Sequence, residues 1–173
     1  MIGNKYNKGF TLIELMVSVA VFVLAVSAAS GLFASSIKLQ RNSIANQQLL
    51  AQTSYLTEYI SRAVRMAKKD LTGACTGAAK LNYSFSNQCL KFSNYKDQCQ
   101  QFCLVGSRIT DGGVNYFTSN DLNVLLFNVN LSGQTQSDNV QPKIGISLEI
   151  QGKENFKVKI QTAVSQRSLD VKR

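Results

Sequence analysis

From Leu15 to Ile37 the chain carries no charged residue. Together with the residues from Phe10 onward, this run holds a single acid, Glu14. As a helix rising ~1.5 Å per residue, Phe10 to Ala34 is long enough for the ~30 Å hydrocarbon core of a bilayer. No later segment combines that length with that apolarity. One helix crossing a membrane once is the natural reading. A cleaved secretory signal is the rival, with Lys5 and Lys8 as its basic region and Ser27-Ala28-Ala29 as its small-residue cleavage site. The run is longer than the ~7–15 apolar residues of such a signal, and an acid near its start suits one poorly.

The same run accounts for the low charge. Charged residues make up 17% of the 173, against about 25% in an ordinary soluble domain. That length supports one domain with an extension and not two independent cores. The 45% apolar content argues against disorder. There is no His, which removes the commonest general base and the commonest metal ligand together. His-based hydrolases, His-ligated zinc enzymes and haem-His proteins are excluded. No nucleophile–base pair, Gly-rich phosphate loop or paired carboxylate site stands out. The expectation is a chain that is not an enzyme, with no cofactor and no metal.

Glu14 needs a reason. A charge inside a bilayer costs at least ~2.5 kcal/mol and is a functional-site hypothesis by default. At the membrane edge it would stay wet, but Phe10, Leu12 and Ile13 precede it. It makes sense beside a positive partner. The segment Lys8-Gly9-Phe10-Thr11-Leu12-Ile13-Glu14-Leu15-Met16-Val17 follows a short basic leader and opens the apolar run. It resembles the type III signal of type IV pilins and pseudopilins. That resemblance implies cleavage by prepilin peptidase between Gly9 and Phe10, and N-methylation of the new Phe10 amine. It also implies that Glu14 pairs with the Phe10 amine of a neighbouring subunit. The physics agrees: paired charges in a low-dielectric core attract strongly, and either alone is penalised. Such a pair also sets axial register.

Beyond the membrane the helical pattern continues. Leu49, Leu56, Ile60, Ala63, Ala67 and Leu71 recur on one face, opposite Gln47, Gln48, Glu58, Arg62, Arg65 and Lys69. Glu58 and Arg62 form an acid-first i,i+4 pair. No Pro interrupts Phe10 to Asp70, and Lys68 and Lys69 suit a last turn before Thr72-Gly73. The spacing predicts one helix of about sixty residues, ~90 Å long, its apolar stripe covering a sheet. Many pilins carry a helix-breaking Pro near Ser27–Gly31; here Gly31 stands instead, as a place for local unwinding or for close helix packing.

From about Lys80 the period changes to two. Leu81, Tyr83 and Phe85 form one alternating set; Leu90 and Phe92 form another. Leu125, Phe127, Val129 and Leu131 are expected on one face. Ile144, Ile146, Leu148 and Ile150 face Phe156, Val158 and Ile160 across a hairpin. A turn centred on Lys153 would place Leu148 opposite Val158 and Glu149 opposite Lys157. Asp111-Gly112-Gly113 reads as a turn and Ser132 to Lys143 as a polar loop. The fold class is α+β: a long N-terminal helix packed on a small antiparallel sheet, which is also the ladle shape that the resemblance implies. The expected parts are a leader (1–9), a transmembrane and assembly half of the helix (10–34), an amphipathic half (35–71) and a globular sheet domain (72–173). Phe117–Val124, Gln141–Leu148 and Lys159–Arg167 resemble minor pilins and J-type minor pseudopilins, which favours a minor over a major subunit.

Cys75, Cys89, Cys99 and Cys103 all lie beyond the membrane segment. An even count in a small exported domain reads as two disulfides, with zinc disfavoured by the absence of His and of any Cys-x-x-Cys. Four cysteines allow three connectivities. If Cys99 to Cys103 is extended, its ends are ~13 Å apart and cannot bridge. Cys89 with Cys103 across a hairpin and Cys75 with Cys99 is then attractive.

Thr118, Ser119, Asn120 and Asp121 form an oxygen-rich group, as in loops where some pseudopilins bind calcium; a capped turn is the plainer reading. Lys153, Lys157, Lys159, Lys172 and Arg173 read as a solvated basic face, or as a nucleic-acid contact in a competence pilin, without interleaved aromatics to support it. The resemblance implies an inner-membrane protein with its C-terminal domain outside the cytoplasm, assembled into a pilus or periplasmic pseudopilus. Its implied partners are other pilin or pseudopilin subunits, prepilin peptidase, an inner-membrane assembly platform and membrane lipid. A non-polymerising single-pass anchored binding module and a secreted soluble domain are the readings from other classes.

Overall fold

The computed structural model describes residues 9–112, 115–134 and 140–168. They fall into two compact units that part between Ser43 and Ile44.

In the first unit every described residue through Arg41 is exposed. The apolar run is helical, as part of α1 (Leu12–Arg65), and is long and apolar enough to cross a membrane. Its serines do not interrupt it. The hydroxyls of Ser18, Ser27 and Ser30 donate to the carbonyls of Glu14, Val23 and Val26 at 2.7, 2.7 and 2.8 Å. Each polar group is thus satisfied within the helix, as a lipid environment demands. α1 runs unbroken through Gly31, where an added Cβ would meet nothing within 4 Å.

The second unit is built on the last turns of α1. Its buried helical residues are Leu49, Thr53, Leu56, Ile60, Ser61 and Val64. The stripe therefore passes through Thr53 and Val64, with Ala63 only half-buried. Thr53 is admitted because its hydroxyl donates to the Leu49 carbonyl at 2.6 Å. Leu71 does not belong to the stripe; it is 72% exposed. The reason is that α1 stops at Arg65, short of the expected Asp70. The chain there exchanges helical bonds for longer-range ones. The Ala67 amide donates to Val64, one turn tightened, and the Lys68 and Asp70 amides donate to Ser93 and Leu81. The helix-end carbonyls are taken from across the fold. Tyr83 Oη donates to Val64 (2.9 Å), the Arg167 amide to Arg65 (2.8 Å) and Gln166 Nε2 to Ala67 (2.8 Å). The last-turn cations are Arg62 and Arg65, while Lys68 pairs with Asp97 at 2.8 Å.

The strands form two antiparallel sheets, not one. β1 (Tyr83–Ser86), β2 (Cys89–Ser93), β3 (Cys99–Val105), β4 (Arg108–Asp111) and β5 (Asn115–Tyr116) pair in chain order. β6 (Asn123–Ser132), β7 (Lys143–Gln151) and β8 (Lys157–Ser165) form the second sheet. Alternation fixes which face of a strand turns inward; it does not fix the strand's lateral neighbour. Both sheets contribute to one core with the helix: Phe92, Phe102 and Ile109 from the first, Ile144, Ile146 and Ile150 from the second, with Leu56 and Ile60 of α1.

Two registers differ from expectation. In the β7–β8 hairpin Leu148 lies opposite Ile160 and Glu149 opposite Lys159, two residues along from the register centred on Lys153. The turn is larger, a short 3-10 segment Lys153–Asn155 closed by the Gly152 amide donating to Phe156. A shift of two keeps every side chain on its face, so the apolar pattern alone permits both registers. In β6 a bulge between Val124 and Leu126 brings Val124 inward and leaves Leu125 exposed.

Disulfides join Cys75 to Cys99 and Cys89 to Cys103. Cys89 and Cys103 are direct partners across β2 and β3. They close loops of 24 and 14 residues in sequence separation, each worth about 3 kcal/mol by loop-closure entropy. Replacing either pair by serines is expected to lower the melting temperature of the globular unit by roughly 10 °C, read by scanning calorimetry. A shift within 2 °C would show that the bridge adds little.

Candidate functional site

Gly9 and Phe10 precede α1 and are exposed, Phe10 at 77%. Thr11 is the residue immediately before the helix, and Glu14 is its third residue. The two are joined reciprocally. The Glu14 amide donates to Thr11 Oγ1 at 3.3 Å, and the Thr11 amide and hydroxyl each approach Glu14 Oε2 at 3.5 Å. Thr-x-x-Glu is the capping-box pattern, in which both side chains satisfy orphan amides at a helix start. An acid there also suits the helix dipole. The local structure thus assigns Glu14 a partner that the sequence reading overlooked, although the motif stands at residues 11–14. The bonds to Oε2 lie beyond the usual 2.7–3.2 Å range, so the carboxylate is held weakly. It lines an open concavity of about 340 Å³ with Thr11, Ile13, Val17 and Ser18. A cation arriving there meets an acceptor with weak competition.

Comparison with known families decides what this end of the chain is. Residues 4–30 match the prokaryotic N-terminal methylation motif. That motif is the signal found on type IV pilins and pseudopilins, so it supports a pilin-like subunit of the kind that prepilin peptidase processes and implies other pilin subunits as partners. Motif and apolar helix together fit a single-pass membrane-anchored protein. No curated protein and no solved structure matches the chain.

The other candidate residues lie far along the chain from the methylation motif. Thr118 is buried, with its hydroxyl accepting from the Ile109 amide at 3.3 Å and its carbonyl accepting from Arg108 at 3.0 Å. The Leu122 amide donates to the Ser119 carbonyl, and Asp121 pairs with Lys153 at 3.0 Å. Thr118–Asp121 is therefore a turn tied to Arg108, Ile109 and Lys153, and no group of three acidic or Cys side chains suited to a metal occurs among the described residues. On the basic face, Lys153 is neutralised by Asp121 and Lys159 by Glu149 at 3.2 Å. Lys157 is exposed; Lys172 and Arg173 lie outside the described residues.

Proposed function

We propose that this chain is a pilin-like structural subunit, minor in its filament, of a type IV pilus or type II secretion pseudopilus. Prepilin peptidase removes residues 1–9 at the inner membrane, and the new Phe10 amine is methylated. The subunit then leaves the bilayer for the filament through its apolar helix, drawn by the assembly platform, with the globular unit outside the cytoplasm. Glu14 meets the Phe10 amine of a neighbour. The observation that carries this reading is the methylation motif running directly into α1, whose apolar residues through Leu39 are all exposed among the described residues. Such a helix must be covered by lipid or by its own kind.

Mass spectrometry of the mature N-terminus is the test. A methylated Phe10 start supports the proposal; an intact Met1 supports a plain anchor; a start near Ser30 supports a secreted domain. Gly9→Val gives the control. A Cβ at Gly9 meets nothing within 4 Å, so the substitution does not disturb the fold. It is expected to leave the leader attached in more than nine molecules in ten, roughly the >1.4 kcal/mol effect of a misfitted cleavage site. Normal processing of that variant would overturn the assigned cleavage site.

A further inference from the structure

The globular unit carries a groove of about 620 Å³. One wall is Tyr59, Arg62 and Ala63 of α1, at helical spacings of three and four, with Met66 just past the helix end. The other wall is the loop between β2 and β3. That loop is fixed at three points. Asn94 Oδ1 accepts from the amides of Lys96 and Gln98 at 2.9 and 3.0 Å. Asp97 pairs with Lys68. The disulfide ties Cys99 to Cys75. The groove is pre-formed and lies in the size range of ligand sites.

Its chemistry is distinctive. Asp111 lines the groove half-buried, and among the described residues its carboxylate has no hydrogen-bond or ion-pair partner. The amides of Gln98 and Gln100 line it as well, also without side-chain partners there. Tyr95 presents a ring that is 56% exposed. The groove's formal charges nearly cancel. Arg62 is held by Glu58 at 2.6 Å, Lys96 sits 5.5 Å from the Tyr95 ring centre, and Asp111 is the one acid in the lining. A cation would meet Lys96 and Arg62; an anion would meet Asp111. A neutral ligand meets neither penalty.

We propose that this groove binds a neutral, hydroxyl-rich glycan. Planar carboxylate and amide groups match the paired donors and acceptors of adjacent hydroxyls. The Tyr95 ring offers an amphipathic face for the C–H face of a sugar. Burial raises the Asp111 carboxyl above its ordinary value, and burial, then the Asp111 charge, raises the Tyr59 phenol. Both are the expected marks of polar groups short of solvent and without a partner. The inference is independent of the filament assignment, since it uses only residues of the globular unit.

The full chain, purified in a polyoxyethylene detergent that carries no sugar headgroup, is applied to an array of neutral and acidic oligosaccharides. The best-retained neutral trisaccharide is then titrated calorimetrically. Binding is expected, and Tyr95→Ala and Asp111→Asn are each expected to weaken it at least tenfold. Gln161→Ala, on β8, should leave it unchanged. Tyr95 is exposed, so Tyr95→Ala keeps the fold and the test holds even if Asp111→Asn unfolds. Three results overturn the proposal: no neutral glycan retained, binding untouched by Tyr95→Ala, or preference for sulfated glycans or tetramethylammonium.

Discussion

Glu14→Ala is expected to be inserted in the membrane and cleaved at Gly9, yet to fall at least tenfold in the sheared-filament fraction. The magnitude follows from what is left behind. In a packed bundle of apolar helices, an ammonium without its carboxylate is an uncompensated buried charge. Breaking such a pair costs about 3–5 kcal/mol, or roughly two to four decades in an association constant. Glu14 has a second, local task in closing the capping box with Thr11, and alanine removes that as well. The cap is worth only about 1 kcal/mol. Glu14→Gln separates the two. Glutamine is a natural partner in a capping box, so it keeps the local bond and removes the charge. If the ion pair drives assembly, Glu14→Gln fails like Glu14→Ala. If the cap is what matters, Glu14→Gln assembles and Thr11→Ala fails. Quantitative immunoblotting of membrane and sheared fractions reads all three variants, and normal incorporation of Glu14→Gln would sink the ion-pair assignment.

The sequence made these N-terminal features legible because they are ordered along one element. Leader, Gly9, Phe10, Glu14 and apolar run keep fixed spacings on a helix, and a 3.6-residue period needs no knowledge of distant contacts. The capping box at Thr11–Glu14 was equally local. Features decided across the fold were hidden. α1 ends at Arg65 because Tyr83, Gln166 and Arg167 claim its last carbonyls, residues between nineteen and about a hundred positions away. The β7–β8 register moved by two because the turn from Gly152 to Phe156 is wider than a pattern of alternation can reveal. The bulge at Leu125 turned an inward residue outward. The division into two sheets was invisible for the same reason: lateral pairing is a choice among strands. The groove beside Tyr59 could not be read at all. It needs Asp111, Gln98 and a helix face together, and no period links them.

Asp70→Asn is expected to be among the most damaging single changes to a polar residue in the globular unit. Sequence position suggested a residue in a last helical turn; in the fold its carboxylate is the centre of a loop. It accepts from the amides of Thr72, Gly73, Cys75 and Thr76 at 3.2, 2.8, 2.8 and 2.9 Å, and from the hydroxyls of Thr72 and Thr76, each at 3.1 Å. Gly73 makes the wrap feasible, with φ +78° and the Ala79 amide 2.6 Å from where a Cβ would sit. Burial by itself would raise the Asp70 carboxyl; the amides of Thr76, Cys75 and Gly73 outweigh it and hold the group well below the usual carboxylate range. An asparagine turns an NH₂ toward amide donors that have lost their acceptor. Buried donors left unsatisfied beside a lost charge cost about 2–4 kcal/mol, a fall in melting temperature of roughly 10 °C. The pH dependence has a definite sign. A depressed folded-state pKa gives stability that is complete above the unfolded value of about 3.9 and is lost as pH falls below it. Wild type should therefore lose stability between about pH 4 and 2, while Asp70→Asn lacks this component, so the gap between them narrows on acidification. Calorimetric melts at pH 7, 4 and 2.5 measure it. A gap of under 2 °C at pH 7, or one that widens toward pH 2.5, would show that the amide cage does not hold the loop through the Asp70 charge.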